Sequence, residues 1–274
     1  MRLLVRLVFP VCLALLGLSI EARARPLIQV QAGGWGAAST QDIEAVLNSV
    51  ADVVIAHFPG HASSRILVGY SNAGPRVLQQ KTSGGAYQVL LDVSDARWDQ
   101  FAYQFSHELC HIVSNFEQRD VGAEPGSRSH QWFEETLCEV LSLVTLNRLS
   151  LSWQNSPPRA GWADYAPAFH RYAERLLADE HRRMPTQVSM ASWYRENQQA
   201  LQIDPYLRRK NEAAAAALLR LFESNPDGVS SLGYLNVARP AQSSFAAYLA
   251  SWYDCCPESQ RAFVQQLIAI FGEA

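Results

Sequence analysis

After its first twenty residues the sequence contains no long apolar segment, and neither sign of charge predominates. A helix needs about 20 consecutive apolar residues to cross a bilayer, so we expect no membrane span in the rest of the chain. Lysine and arginine number 23 against 26 for aspartate and glutamate, and the two signs are interspersed. This pattern argues against a nucleic-acid-binding surface, which needs clustered basic residues.

Cysteine is also scarce, with five in 274 residues. Cys12 falls in the N-terminal segment, which leaves Cys110, Cys138, Cys255 and Cys256. That density is too low for a small scaffold held together by disulfides, and none of the spacings matches a cysteine-based metal site. The hydrophobic fraction of 48% is large enough to build a core without such bonds.

The N-terminus has the three parts of a signal peptide. Residues 1–6 carry two arginines, Arg2 and Arg6, residues 7–20 are mostly apolar, and Ala22-Arg23-Ala24 gives the small-x-small pattern that signal peptidase cleaves. We therefore expect residues 1–24 to be removed and the protein to be secreted or periplasmic, with no membrane span after cleavage. An uncleaved N-terminal anchor is the alternative. The residues around Cys12 do not favour a lipoprotein.

Strand-like and helix-like patterns alternate in the first third of the chain. Ser39 and Asp42 have the spacing of a helix-capping pair, and the apolar residues that follow recur at helical spacing. Runs of apolar residues bounded by Gly and polar residues are typical of strands. The predicted strands cover residues 27–31, 65–70 and 86–93. The sequence thus predicts an N-terminal α/β subdomain over residues 25–116.

From Asp95 onward the pattern is helical almost to the C-terminus. Two loops, over 117–129 and around 152–161, are marked by Gly and Pro. Predicted helices cover about residues 97–115, 131–148, 164–181, 189–202, 207–224, 242–254 and 257–271. The sequence therefore predicts a helical subdomain over 117–274 and an α+β fold as a whole.

Residues His107-Glu108-Leu109-Cys110-His111 form an HExxH motif. Residues four apart lie on one face of a helix, so both imidazoles can reach one zinc ion. Glu108 is directed toward the water on such an ion, where it can take and deliver a proton. The apolar residues of this helix share one stripe, and the two histidines lie nearly opposite to it. The sequence therefore predicts a metal site with Glu108 as its catalytic base.

A catalytic zinc site needs a third protein ligand, and the next predicted helix supplies candidates. It begins Trp132-Phe133-Glu134-Glu135, and Glu139 follows one turn after Glu135. Glu135 and Glu139 share a face of the helix. Glu134 lies about 100° away and is expected to be solvated or at the rim of the site.

These two segments resemble the glutamate-zincins (gluzincins, peptidase MA-like), in which a Trp, two residues and a ligand Glu follow the HExxH helix. The resemblance implies a zincin-like fold and Zn²⁺ as cofactor, held by His107, His111 and Glu135. It also implies that Glu139 hydrogen-bonds a ligating histidine and fixes its tautomer. Thr136 stands where these enzymes usually have a small Gly.

Other third ligands stay open. Glu117 stands six residues after His111, where the Met-turn zincins have their third histidine, although the Gly that turns their chain is Ser114 here. His130 and Glu134 are further alternatives, because imidazole and carboxylate both bind zinc.

The group that stabilises the oxyanion is expected on a later helix, since the enzymes that this chain resembles use a Tyr or His there. Tyr206 is the first candidate, because Tyr206-Leu-Arg-Arg-Lys210 opens a long predicted helix at a plausible distance downstream. The segment is loosely similar to the Tyr-x-Lys-Gly-Ala segment of some aminopeptidases, although the spacing differs and the Gly is missing here. His170, His181 and Tyr234 are the alternatives.

Two further expectations concern the surroundings of the site. Cys110 follows His107 by three residues and Cys138 follows Glu135 by three, so a disulfide can brace the helices if both pack around one ion. Two buried thiols are the alternative. Zincins usually bind an extended substrate at an edge strand above the cleft, for which Tyr87 to Val93 is the candidate. An ordinary internal strand is the alternative.

The resemblance implies hydrolysis of peptide bonds in a peptide or protein substrate. A zinc hydrolase of another amide or ester is the close alternative. A non-catalytic binding or scaffold protein with a zincin fold is another, and it would need a fourth protein ligand, for which His130 is the candidate. A zinc-scavenging protein would need surplus His or Cys near the motif, which the sequence lacks.

Overall fold

The computed structural model describes residues 25–119, 130–238 and 244–272. It has an α+β architecture in which a small mixed sheet packs on a larger helical body. The predicted signal peptide lies outside the described residues. Within those ranges no helix combines the length and apolar character needed to cross a bilayer.

Four strands form one sheet in the order β1-β2-β4-β3. Their bounds are Leu27–Val30 (β1), Arg65–Tyr70 (β2), Arg76–Val77 (β3) and Tyr87–Leu91 (β4). β1, β2 and β4 are parallel, whereas β3 pairs antiparallel with β4, with Val77 opposite Val89. Buried and half-buried residues alternate along β4, as expected for a strand with one face on the core.

The expectation for the edge strand was wrong. The predicted strand over 86–93, which contains the candidate edge segment 87–93, is β4, and it is internal because it pairs with β2 on one side and β3 on the other. The strand at the edge is β3, whose two residues are too few to produce a periodic pattern in the sequence. β3 is therefore the edge strand, the role that the sequence predicted for β4.

Nine α-helices lie within the described ranges. Their bounds are Thr40–Val54 (α1), Trp98–Val113 (α2), Phe116–Arg119 (α3), Gln131–Asn155 (α4), Ala166–Ala178 (α5), Met190–Ile203 (α6), Arg208–Ser224 (α7), Phe245–Cys255 (α8) and Glu258–Ile270 (α9). A 3₁₀ segment over Pro226–Tyr234 connects α7 to the last two helices. The predicted capping pair is confirmed, since the Ser39 hydroxyl accepts from the backbone N–H of Asp42 at 3.1 Å.

The long helix α4 runs through the middle of the molecule. The sequence predicted that it ends near residue 148, but it continues to Asn155 because Trp153 is buried there. The indole N–H of Trp153 donates to the Ser49 hydroxyl on α1 at 2.8 Å. Side chains on nearly all sides of α4 are buried, and one hydrophobic core joins both predicted parts of the chain, from Ile28 to Phe271.

A disulfide joins α2 to α4. The bond links Cys110 and Cys138, whose Cα atoms are 5.2 Å apart and whose sequence separation is 28. Cys255 and Cys256 are free. The covalent link fixes the spacing of the two helices that carry the HExxH motif and the acidic residues after it.

Loss of this disulfide is expected to lower the free energy of unfolding by about 3–4 kcal/mol, because a cross-link over a loop of this length restricts the unfolded chain. Urea unfolding of the Cys110→Ala/Cys138→Ala variant measures the loss. The Cys255→Ala/Cys256→Ala variant is the control for removing sulfur atoms without a bond. Equal losses in both variants would contradict a stabilising disulfide.

Candidate metal centre

Three potential ligand atoms from α2 and α4 converge in the structure. His107 Nε2 lies 3.2 Å from Glu135 Oε2, and His111 Nε2 lies 3.5 Å from the same oxygen. The three ligand atoms all lie within 4.8 Å of one another. Helical geometry explains the pairing of the histidines, which stand four residues apart on α2, and the packing of α4 on α2 supplies the carboxylate.

The spacing of these atoms fits a small cation. Zinc binds nitrogen and oxygen at about 2.0–2.1 Å in tetrahedral geometry, which separates neighbouring ligand atoms by roughly 3.3–3.4 Å. The distances of 3.2 and 3.5 Å to Glu135 Oε2 match that edge length. Two imidazoles and a carboxylate can therefore hold a metal ion and leave a fourth position open to the cleft.

The pKa values of His107, His111 and Glu135 depend on one another. Burial lowers the pKa of His111, but the carboxylates of Glu135 and Glu134 outweigh burial and hold that pKa well above its usual value. Burial raises the pKa of Glu135, but the imidazoles of His111 and His107 outweigh it and hold that pKa well below its usual value. A metal needs neutral imidazole. Metal binding by His107, His111 and Glu135, called the metal trio below, is therefore coupled to proton release.

Glu108 lies beside the trio and lines the same cleft. It is buried, and burial raises the pKa of its carboxyl group even though His107 and His111 act to lower it. A carboxylate with a raised pKa is a better proton acceptor, as general-base chemistry needs. The structure thus brings His107, Glu108, His111 and Glu135 together.

The cleft has a volume of about 500 Å³ and crosses the molecule from β3 to α7. Its wall on the strand side is formed by residues 75–79, which include the edge strand. Its lining also includes Tyr206, Arg208, Asn211 and Glu212 near the start of α7. The three clustered ligand residues line the same cleft.

Glu139 lies behind His107 but is not in hydrogen-bonding distance of it. Its Oε2 atom is 3.9 Å from His107 Nδ1, which is a charge contact. The Tyr103 hydroxyl donates to Glu139 Oε2 at 2.5 Å, and Arg182 donates to Oε1 at 2.6 Å. Arg182 is itself buried and also bridges to Glu212 at 2.9 Å. Most of the hydrogen bonding of Glu139 thus goes to Tyr103 and Arg182.

Glu134 is buried with 1% of its surface exposed, so the expectation of a solvated or rim carboxylate was wrong. Its Oε1 atom lies 2.6 Å from His111 Nδ1. The prediction was wrong because nearly all sides of α4 are buried. A residue on a different face of α4 from Glu135 is therefore still shielded from solvent. Glu134 is thus a direct partner of His111 and not one of the three clustered ligand atoms.

The two remaining ligand candidates lie outside the trio. Glu117 forms an ion pair with Lys81 at 3.0 Å and accepts from the Tyr87 hydroxyl at 3.1 Å. His130 precedes α4 and stacks on Tyr248 with ring centroids 5.1 Å apart. Neither belongs to the group of side chains that can hold a metal in the described part of the chain.

Tyr206 lies on the wall of the cleft, close to the metal trio. Its hydroxyl oxygen is 2.6 Å from Gln131 Nε2, which also contacts Glu135 Oε1 at 3.3 Å. Because Glu135 can only accept, the Gln131 amide must present its NH₂ group to both partners. Gln131 thus links Tyr206 to a metal ligand.

The alternatives to Tyr206 do not line this cleft. His170 is exposed and contacts Asn147 at 3.1 Å, and His181 pairs with Glu212 at 2.5 Å. Tyr234 belongs to the 3₁₀ segment after α7. Of the four candidates for oxyanion stabilisation, Tyr206 is therefore the one on the wall of the cleft.

Three residues near the site were missed from the sequence. Gln131 stands one turn before Glu135, so a helical wheel could have placed it on the same face. Arg182 and Asn236 come from distant segments and contact Glu139 and Glu134. No pattern in the sequence indicates those two contacts.

Comparison with known proteins adds no assignment, because neither a protein-family model nor a curated protein matches the chain.

Proposed function

We propose that this chain is a zinc metallopeptidase of the glutamate-zincin type, with a zincin-like fold. The observation that carries the proposal is the convergence of His107 Nε2, His111 Nε2 and Glu135 Oε2 beside a buried Glu108. Zinc in such a site supplies an acidified water and polarises the scissile carbonyl. Three protein ligands with an open position are typical of catalytic zinc sites, whereas structural sites are closed by four.

Glu108 acts as the general base in this proposal. It adjoins His107 in sequence, lines the cleft and has a raised pKa that comes mainly from burial. It takes the proton from the attacking water and later delivers it to the leaving amine. The same carboxylate performs both transfers, because Glu108 is the acidic residue of the HExxH motif.

Tyr206 stabilises the oxyanion that forms when water attacks the carbonyl. Gln131 Nε2 donates to its hydroxyl oxygen at 2.6 Å, so the phenolic proton is left for an acceptor in the cleft. A phenol that accepts one hydrogen bond becomes a stronger donor of the next. This arrangement supports Tyr206 as the electrophilic group, at a position fixed by Gln131.

The substrate in this proposal is an extended peptide. The edge strand β3 borders the cleft, and an edge strand offers backbone groups to which an extended chain can pair. The wall residues Pro75 and Leu78 flank β3 on both sides. A hydrolase of another amide or ester would use the same chemistry but would not need the strand.

We also propose that the protein acts outside the cytoplasm, as a secreted or periplasmic enzyme. The signal-peptide pattern of residues 1–24 and the Cys110–Cys138 disulfide both support export, since disulfides persist in oxidising compartments.

Metal removal tests the proposed function. The purified chain should bind one zinc ion, cleave members of a broad peptide library, lose cleavage after chelation and regain it when zinc is restored. Ester and non-peptide amide substrates, run in parallel, distinguish the other hydrolases. A chain that holds one zinc ion and cleaves nothing would favour the binding or scaffold alternative. A chain that holds no zinc would refute the site.

A further inference from the structure

The carboxylate of Glu134 lies on the side of His111 opposite to the metal-facing nitrogen. His111 Nδ1 is 2.6 Å from Glu134 Oε1, whereas His111 Nε2 faces Glu135. A carboxylate only accepts hydrogen bonds, so the contact places the proton of a neutral imidazole on Nδ1. Nε2 is then left with the lone pair that a metal needs.

Asn236 holds the other oxygen of that carboxylate. Its Nδ2 atom donates to Glu134 Oε2 at 2.8 Å and to the Ser114 carbonyl at 3.0 Å. Its Oδ1 atom accepts from the Tyr248 hydroxyl at 3.0 Å. Because both partners of Nδ2 are acceptors, the amide cannot be turned around without losing two hydrogen bonds.

The backbone of Asn236 is held in an uncommon conformation. Its φ of 61° lies in the left-handed region, which Asn tolerates better than most residues. Asn236 is also buried, with 7% of its surface exposed. A buried residue in this conformation persists when the surrounding contacts fix it, which here are the contacts with Glu134, Ser114 and Tyr248.

The two histidines of the site differ in what supports them. Behind His107, the Glu139 carboxylate is 3.9 Å away and is hydrogen-bonded by Tyr103 and Arg182. Behind His111, the Glu134 carboxylate is within hydrogen-bonding distance, and Asn236 donates a hydrogen bond to its second oxygen. The direct support of a ligating imidazole thus comes from Glu134.

We infer that Asn236 is a positioning residue, which holds the Glu134 carboxylate against His111 Nδ1 so that Nε2 points to the metal. The inference rests on the proposed metal site but not on hydrolysis. Partners of this kind, which orient a metal-binding histidine, typically change metal affinity by about 10- to 100-fold when they are lost.

Zinc affinity of Asn236→Gly, measured by competition with a chromophoric chelator, tests the inference. Glycine keeps the left-handed backbone accessible and removes the amide. We expect zinc affinity to fall by about 10- to 100-fold. The absorption bands of the Co²⁺-substituted protein should also shift at full occupancy, because the ligand field changes when the His111 ring loses its fixed orientation.

Asn115→Gly is the matched control. Asn115 has a φ of 63°, and its Nδ2 atom donates to the carbonyls of Gly233 and Leu235, so it joins the same loop to the end of α2. Neither of these hydrogen bonds involves Glu134. We therefore expect this variant to lose stability but to keep wild-type zinc affinity and the wild-type Co²⁺ spectrum.

Glu134→Gln and Tyr248→Phe complete the set. If Asn236 acts through Glu134, Asn236→Gly causes no further loss of zinc affinity in the Glu134→Gln background. Tyr248→Phe removes one hydroxyl and is expected to weaken zinc binding less than Asn236→Gly, which keeps the test informative if Asn236→Gly does not fold.

Several results would overturn the inference. These are wild-type zinc affinity in both Asn236→Gly and Tyr248→Phe, an equal loss in Asn115→Gly, or an undiminished loss in the Glu134→Gln background. No substrate is used in any of these measurements. A wild-type chain that binds zinc but cleaves no peptide would therefore refute the proposed function and leave this result standing.

Discussion

Glu108→Gln is expected to lower the rate of peptide hydrolysis by at least about 10²- to 10⁴-fold, because general-base catalysis typically contributes that much. The amide is nearly the same size as the carboxylate but cannot accept and return a proton. Glu108 is not one of the three clustered ligand side chains, so zinc occupancy should stay at the wild-type level. The measurement is kcat/KM on the best library peptide, with zinc content determined for the same samples.

The fold should survive this substitution. Burial raises the pKa of Glu108, which means that the folded protein disfavours its ionised form, and a neutral amide does not carry that cost. Glu117→Gln is the control, since Glu117 is a carboxylate that pairs with Lys81 outside the trio. Equal rates for wild type and Glu108→Gln at equal zinc occupancy would show that Glu108 is not the base.

Glu135→Ala is expected to weaken zinc binding by roughly 10²- to 10³-fold. A complete four-ligand site binds zinc with about 10–16 kcal/mol, so one ligand accounts for roughly a quarter of that free energy. Truncation also removes the carboxylate that both imidazoles face at 3.2 and 3.5 Å. Competition with a chelator at fixed pH gives the affinity.

The ranking of three acidic residues separates the ligand assignments. Zinc affinity should fall most for Glu135→Ala, less for Glu134→Gln and not at all for Glu117→Ala. Glu134 contacts His111 but is not one of the clustered ligand atoms, and Glu117 is engaged by Lys81 and Tyr87. If Glu134→Gln had the larger effect, Glu134 and not Glu135 would be the ligand.

Local patterns in the sequence were sufficient for most of the secondary structure. Helical spacing predicted the bounds of α2, α6 and α7 to within a few residues. The strand β3 and the last two turns of α4 were missed. β3 is held by its pairing with β4, and the end of α4 is held by burial of Trp153, neither of which has a local pattern.

The sequence by itself determined which residues share a helical face at the candidate metal site, and it left the third ligand open. His107 and His111 are four residues apart on one helix, and Glu135 and Glu139 are four apart on the next, so each helix fixes its own pair. Only the tertiary structure decided how those pairs are supported. Glu134 contacts His111 because α4 packs against α2, and Asn236 contacts Glu134 although 102 residues separate them. Helical periodicity relates residues within one turn of each other, whereas contacts between segments depend on how the whole core packs.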